Sequence, residues 1–252
     1  MTKQEALFIY LLRQADNALI LGHRLSEWSS NAPILEEDLA LTNIALDHLG
    51  RAQALYKYAA EVEGTGRTED DLVYKRAERQ YRNILLVELP NGDFAMTIAR
   101  QFFISTFELM FLEELAKSKD EILSGLGAKC IKEVKYHWRH SYDWLLRLGD
   151  GTDESHARMQ TAVNELWMYT GEMFEQDEVE KDLIQANIAC DTSALKEKWI
   201  AKVTNALTEA TLTTPPIGYN QTGGRNGVHS ENLGFILAEL QYLPRAYPDA
   251  TW

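Results

Sequence analysis

The stretch that decides the fold is residues 101–112, which read QFFISTFELMFL. It is apolar almost all the way round at helical spacing, and a helix of that kind is usually covered on every side. One interpretation is a central core helix, and the alternative is that part of its surface meets a second subunit. The stretch is interrupted by Glu108 and is far shorter than the roughly 20 apolar residues of a membrane span.

The residues around this stretch also favour helices. Proline is absent between Pro90 and Pro215, and apolar residues recur at helical spacing, whereas alternating strand patterns are scarce. The predicted helices cover residues 3–27, 36–63, 70–87, 94–117, 120–148, 153–174 and 193–210, with a short one at 232–243. The joins are short and rich in turn-forming residues, so the long helices are expected to be antiparallel neighbours. We predict one all-α helical bundle domain over 1–252, with 213–252 as an irregular, wrapping C-terminal tail.

The composition limits the function classes. The chain is 45% hydrophobic and 25% charged, as in an ordinary globular protein. Its formal net charge of −13 repels phosphate backbones, so nucleic acid is an unsuitable partner. Cys130 and Cys190 stand far apart and fit neither a disulfide scaffold nor a thiolate zinc site. The N-terminus lacks the apolar core of a signal peptide, so we expect a cytoplasmic protein that does not enter a membrane.

A helical bundle invites a test for a di-iron centre. Such centres take a Glu from each of two helices and a Glu-x-x-His pair from each of the other two. An acidic residue stands three positions before a histidine only at residues 153–156, where a surface helix cap is the simpler interpretation. Elsewhere the pairs are broken, because Asp47 is followed by Gly50, and Val134 precedes His137.

The positions where ligands would stand are still recognisable. They are Glu27, Asp47, Glu108, Glu133 and His137. Too few anionic ligands converge at these positions to hold iron, so we predict neither a metal nor a catalytic residue in this chain. The alternative roles are structural: Asp47 pairs with Arg51, and Glu133, His137 and His140 form a polar seam on one helix.

A basic segment forms a second candidate site. Residues 74–83 read YKRAERQYRN, and in a helix Lys75, Arg79 and Arg82 would share one face. Arginine binds phosphates bidentately, and Tyr81 offers an aromatic surface for stacking. The alternative is a solvated face that pairs with acidic neighbours such as Glu78. The loop at 222–229 lacks the form of a P-loop, and we interpret it as a structural turn.

Several strings, in constant order over nearly the whole chain, resemble the C-type subunit of the phenylacetyl-CoA epoxidase complexes of bacterial phenylacetate degradation. These strings are GHRLSEW at 22–28, APxLExDxAL at 32–41, NIALDxLG at 43–50, RQYxN at 79–83, LLVExPNGDFA at 85–95, IKExxYH at 131–137, RLGxGT at 147–152, TGG at 222–224 and the terminal Trp252. No single motif carries the resemblance, which makes it specific.

The resemblance implies a ferritin-like, non-catalytic structural subunit. It implies that a homologous catalytic subunit holds the di-iron centre and is stabilised by this chain. A reductase component with flavin and an iron–sulfur cluster would pass electrons from NADPH, and the complex would use O₂ to epoxidise the ring of phenylacetyl-CoA.

The resemblance also gives the basic segment a substrate. Under it, Arg79, Gln80, Tyr81, Arg82 and Asn83 help to hold the CoA thioester at the subunit boundary. A free-standing di-iron oxygenase and a helical binding module remain as alternative functions. The exact acyl group, the stoichiometry of the complex and a homodimer in the absence of the partner stay open.

Overall fold

The structure is a computed structural model that describes residues 1–216, 218–248 and 250. All regular secondary structure assigned within these residues is helical, so the predicted all-α class is confirmed. The helices are α1 (Lys3–Ser26), α2 (Leu35–Glu63), α3 (Glu69–Tyr74), α4 (Leu85–Glu88), α5 (Phe94–Leu115), α6 (Glu121–Gly149), α7 (Asp153–Trp167), α8 (Glu178–Gln185), α9 (Lys196–Glu209), α10 (Glu231–Leu240) and α11 (Tyr242–Ala246). Short 3-10 helices lie at Glu78–Gln80, Gly171–Phe174, Ser193–Leu195 and Gly224–Asn226.

The long predicted helices agree with α1, α2, α5, α6 and α9 to within a few residues. The continuous helix predicted over 70–87 is wrong, because the chain is extended at Ala77 (ψ 160°) and at Tyr81 (ψ 153°). The helix predicted over 153–174 ends at Trp167 and is followed by a 3-10 helix. The sequence analysis missed α8, which begins at a capping box formed by Asp177 and Glu180.

The described residues group into two compact units. The first comprises Met1–Asn31, Asp38–Pro90 and the chain from Thr222 onward, and the second comprises Ala32–Glu37 and Asn91–Gln221. A single domain over 1–252 with a wrapping tail at 213–252 therefore stays a prediction. Among the described helices, none combines the length and the apolar character that crossing a lipid bilayer requires.

In the first unit, α1 and α2 run antiparallel. The side-chain amide of Gln4, near the start of α1, donates to the carbonyl of Val62, near the end of α2 (2.5 Å). Towards the other end of the pair, a Cβ added to Gly22 would lie 3.1 Å from the side chain of Leu49. Thr2 and Glu5 cap the start of α1 reciprocally.

The second unit is built on α5 and α6. Within α5 only Glu113 and Glu114 are exposed, so the apolar stretch at 101–112 is a core helix, as its composition predicts. The two helices approach closely, since a Cβ on Gly127 would lie 2.7 Å from the backbone nitrogen of Ala116. Across the pair, the hydroxyls of Ser105 and Ser141 lie 3.2 Å apart.

Candidate functional site

The basic segment of the first unit is not the helical face that the sequence predicts. Arg79 and Gln80 lie in a 3-10 helix and are exposed, whereas Arg82 is half-buried. Lys75 ends α3 and forms an ion pair with Asp71 (2.5 Å). The expected face of Lys75, Arg79 and Arg82 is therefore wrong, because it needs one continuous helix.

A buried carboxylate, Asp16 on α1, fixes the path of this segment. Asp16 is fully buried and accepts hydrogen bonds from the Tyr56 hydroxyl and from both terminal nitrogens of Arg76, Nη1 at 3.0 Å. It also accepts from the backbone N–H of Arg82 (2.7 Å). In a continuous helix that N–H would bond to the carbonyl of Glu78, so Asp16 takes over a donor that a helix needs.

Tyr81 is held inside this network and does not present a stacking surface. Its side chain is fully buried, its hydroxyl donates to the carbonyl of Val73, and the Arg76 guanidinium lies 4.1 Å from its ring centroid. Gln241 donates to the same Val73 carbonyl (2.9 Å) and to the Tyr81 hydroxyl (3.2 Å). The expectation that Tyr81 stacks on an adenine is therefore corrected: in this structure it supports the segment from within.

A second buried carboxylate, Glu88 on α4, supports the other end of the segment. It accepts from the side-chain amide of Asn83 (2.8 Å), from Nδ1 of His229 (2.8 Å) and from the backbone N–H of Ser230 (2.7 Å). The other ring nitrogen of His229 lies 3.1 Å from the carbonyl of Tyr81. Asn83 is therefore a structural contact of Glu88, and its amide faces the interior.

Both ring nitrogens of His229 face acceptor oxygens, an arrangement that suits the doubly protonated ring. Burial lowers the pKa of the His229 imidazole, but the hydrogen bond and the charge of Glu88 outweigh burial and raise that pKa above its ordinary value of 6.5. The sequence analysis missed both residues of this pair. Their only signal was that Glu88 and the glycine loop belong to strings that carry the family resemblance.

The glycine-rich loop lies directly against the basic segment. A Cβ on Gly224 would lie 2.2 Å from the carbonyl oxygen of Asn83, and one on Gly227 would lie 2.3 Å from that of Arg79. Gly227 also has a positive φ of 80°, which favours glycine. The loop and the segment are therefore one packed structure, in which glycine permits close backbone approach.

The electrostatics around Arg82 are those of a cationic cluster. Burial lowers the pKa of the Arg82 guanidinium, the charge of Asp16 raises it, and the charges of Arg13 and Arg76 lower it further. Three guanidinium groups thus surround one carboxylate, and Arg79 adds an exposed fourth nearby. This edge of the first unit can attract an anion such as a phosphate.

The positions named as former metal ligands lie in different surroundings. Glu27 is exposed at the C-terminal end of α1 and accepts from Arg24 (2.7 Å). Asp47 is half-buried on α2. Next to it, Arg51 donates to Nδ1 of His48 (2.9 Å). Because arginine only donates, a neutral His48 ring carries its proton on Nε2, and that nitrogen cannot then bind a cation.

The second unit contains the remaining positions. Glu108 on α5 and His137 on α6 are buried, with a carboxylate oxygen and a ring nitrogen within 4.8 Å of each other. One turn along α6, Nε2 of His140 lies 2.7 Å from a carboxylate oxygen of Glu37. Glu133 is half-buried on the same helix.

These donors do not fit a di-iron centre. In the second unit, Glu108 stands with His137, while Glu37 and His140 are engaged with each other. The expected contribution of Glu27 is missing from the interior, because that side chain is exposed and bound to Arg24. The set falls short of the Glu ligands and paired Glu-x-x-His ligands that such a centre takes from its helices.

Comparison with known proteins gives a match along the whole chain. A family model described as "Phenylacetic acid catabolic protein" matches residues 1–252. A relative from Escherichia coli (strain K12), named as the C-type subunit of 1,2-phenylacetyl-CoA epoxidase, is 49% identical over 243 residues, which are 96% of this chain and 98% of the relative. The resemblance expected from the sequence strings is confirmed, and with it the ferritin-like helical class.

Proposed function

Because this chain belongs to the phenylacetic acid catabolic protein family, we propose that it is the non-catalytic structural subunit of a multicomponent epoxidase acting on phenylacetyl-CoA in aerobic phenylacetate catabolism. It pairs with a homologous catalytic subunit that holds the di-iron centre, and a reductase component with flavin and an iron–sulfur cluster supplies the electrons. The observation that carries the proposal is the 49% identity, over 96% of the chain, to a protein named as the C-type subunit of such an epoxidase.

The donor chemistry supports the non-catalytic part of the proposal. Glu27 points away from the interior, and His48 is held by Arg51 in a tautomer that does not ligate through Nε2. A second helical bundle packed against a metal-bearing one can hold its ligands within about 0.5 Å of the productive geometry and exclude water. This chain would contribute to the reaction by that support.

The exposed surface of α2 supports the pairing. Leu39 and Leu46 lie on one side of the helix and are 55% and 59% exposed. An apolar stripe of this kind is a usual component of a permanent subunit interface, which commonly buries more than about 2,000 Å².

The isolated chain tests the proposal. Purified alone, it is expected to contain far less than one iron per molecule and to turn over no phenylacetyl-CoA with the reductase present. Coexpressed with the homologous catalytic subunit, it is expected to form a mixed complex that survives gel filtration and is active. Stoichiometric iron with turnover by the isolated chain would establish a free-standing oxygenase, and a persistent lone monomer in the coexpression would establish a binding module.

For substrate binding, we assign the two accessible cations of the basic segment the contacts and the buried residues the support. Arg79 and Arg82 meet the CoA phosphates, because they are the accessible guanidinium groups of the cluster. Gln80 caps the segment by accepting from the backbone N–H of Ala77 (2.7 Å). Tyr81 and Asn83 hold the backbone through their buried hydrogen bonds.

Replacing both Arg79 and Arg82 with alanine is expected to raise the KM for phenylacetyl-CoA about three- to tenfold in the reconstituted complex, since partly exposed ion pairs each contribute little. The kcat is expected to change much less. Steady-state kinetics measure both parameters. The matched control is Arg139→Ala, an exposed arginine on α6 of the second unit, which should leave KM unchanged. Equal KM values for the double variant and this control would refute the substrate assignment.

A further inference from the structure

The second unit contains a cavity that neither the metal-ligand positions nor the basic segment involves. It has a volume of about 470 Å³ and is lined by residues of α7, of α9 and of the segment around residues 215–220. This volume is within the range of small-molecule sites, which measure about 300–1,000 Å³. We call it the α7–α9 pocket.

The wall of the α7–α9 pocket is aromatic. Trp167, Phe174 and Trp199 line it, with the Trp167 and Trp199 ring centroids 5.8 Å apart and those of Phe174 and Trp199 5.4 Å apart. The indole N–H of Trp199 donates to the carbonyl of Phe103 (3.0 Å), which fixes that ring in place. A flat ring in the pocket would meet aromatic neighbours in offset or edge-to-face geometry, the arrangements that aromatic pairs prefer.

The pocket is already formed, because its irregular wall is bonded to the end of α7. The backbone N–H of Gln221 donates to the carbonyl of Met168 (2.8 Å). A Cβ on Gly171 would lie 2.6 Å from the side chain of Asn220, so the wall packs tightly on the 3-10 helix that follows α7. A ligand would therefore meet little ordering cost on entry.

The polar groups of the pocket are donors. Among the described lining residues Lys196 is the sole charged one, and it shares a face of α9 with Trp199 and Ile200. The side-chain oxygen of Asn164 already accepts from Gln160 (3.0 Å), which leaves its amide N–H groups as what Asn164 offers the pocket. In a chain of net charge −13, a cavity lined by a cation and no carboxylate is selective for an anion.

We propose that the α7–α9 pocket binds a flat aromatic carboxylate, with its ring against Trp167 and Trp199 and its carboxylate at the Lys196 ammonium. The assignment depends on the pocket alone and not on the proposed epoxidase role. It identifies a ligand class, an aromatic ring that carries a single carboxylate, and it places no chemical reaction in the pocket.

Binding of 1-naphthylacetate to the purified full chain tests the assignment, with isothermal titration calorimetry as the measurement. The expected dissociation constant is about 1 mM or lower. The isosteric cation 1-naphthylmethylamine is expected to bind at least tenfold more weakly, and acetate not measurably. Comparable affinities for the naphthyl acid and the naphthyl amine, or no saturable binding by the acid, would overturn the assignment.

Variants separate the pocket from the rest of the surface. Lys196→Met is expected to weaken naphthylacetate binding about three- to fivefold, as for a partly exposed ion pair. Lys198→Met, the matched control on an exposed neighbouring position, should leave it unchanged. Ile200→Trp should fill the cavity and abolish binding, and an unchanged circular dichroism melting temperature confirms that each variant is folded. Equal losses in the two lysine variants would contradict a site at Lys196.

Discussion

Replacing Arg76 with methionine is expected to lower the free energy of unfolding by about 3–5 kcal/mol, the cost of leaving one member of a buried ion pair without its partner. Asp16 would then stay fully buried with the Tyr56 hydroxyl and the Arg82 N–H as donors but with no opposing charge. The variant would also lose the bond from Arg76 to the carbonyl of Gln80 (3.0 Å). Urea unfolding followed by circular dichroism measures the change.

Two controls make this prediction specific to the buried pair. Arg79→Met, in the same segment but exposed, should change the free energy of unfolding by less than about 0.5 kcal/mol. The double variant Asp16→Asn/Arg76→Met should lose clearly less than the sum of the two single variants, because the second substitution removes the charge that the first left unpaired. Equal losses for Arg76→Met and Arg79→Met would show that the segment does not depend on Asp16.

Replacing Gly227 with alanine is expected to lower the free energy of unfolding by about 2–4 kcal/mol, because two costs of roughly 1–2 kcal/mol or more combine. The residue has a φ of 80°, which strains any side chain, and the added Cβ would lie 2.3 Å from the carbonyl oxygen of Arg79. Backbone atoms on both sides must move to relieve that contact. Thermal or urea unfolding measures the loss.

Gly66→Ala is the matched control for Gly227→Ala. Gly66 has a similar φ of 85°, but an added Cβ would meet nothing within 4 Å. The control therefore measures the backbone strain alone, about 1–2 kcal/mol. If both variants lost the same stability, the close packing of the glycine loop on the basic segment would not contribute to the folded state.

The candidate metal positions show how far residue type can be trusted without geometry. Broken Glu-x-x-His pairs are visible in the sequence, since they depend only on which residues stand three positions apart. The exposure of Glu27 and the contact of His140 with Glu37 are not visible, because they depend on which side chains the folded helices bring together. Sequence reasoning accordingly found the missing donors but not the partners of those that remain.

The basic segment shows the opposite case. Its composition correctly marked a cluster of guanidinium groups, but the assumed helix gave them the wrong arrangement. Helical periodicity is a local signal, and it cannot report that Asp16, 66 positions earlier in the chain, accepts the N–H of Arg82. The same limit hid the pairing of Glu88 with His229, which are 141 positions apart.

By itself, the sequence determined the all-α class, the bounds of the long helices, the core position of α5 and the family, because periodicity, caps and ordered strings of residues are properties of neighbouring positions. Only the tertiary structure decided that residues 75–84 leave the helical path, that Tyr81 is buried and that the glycine loop covers the segment. The physical reason is that a buried carboxylate must be satisfied by whichever donors the fold brings to it, and satisfying it outweighs the small local preference of a short segment for a helix.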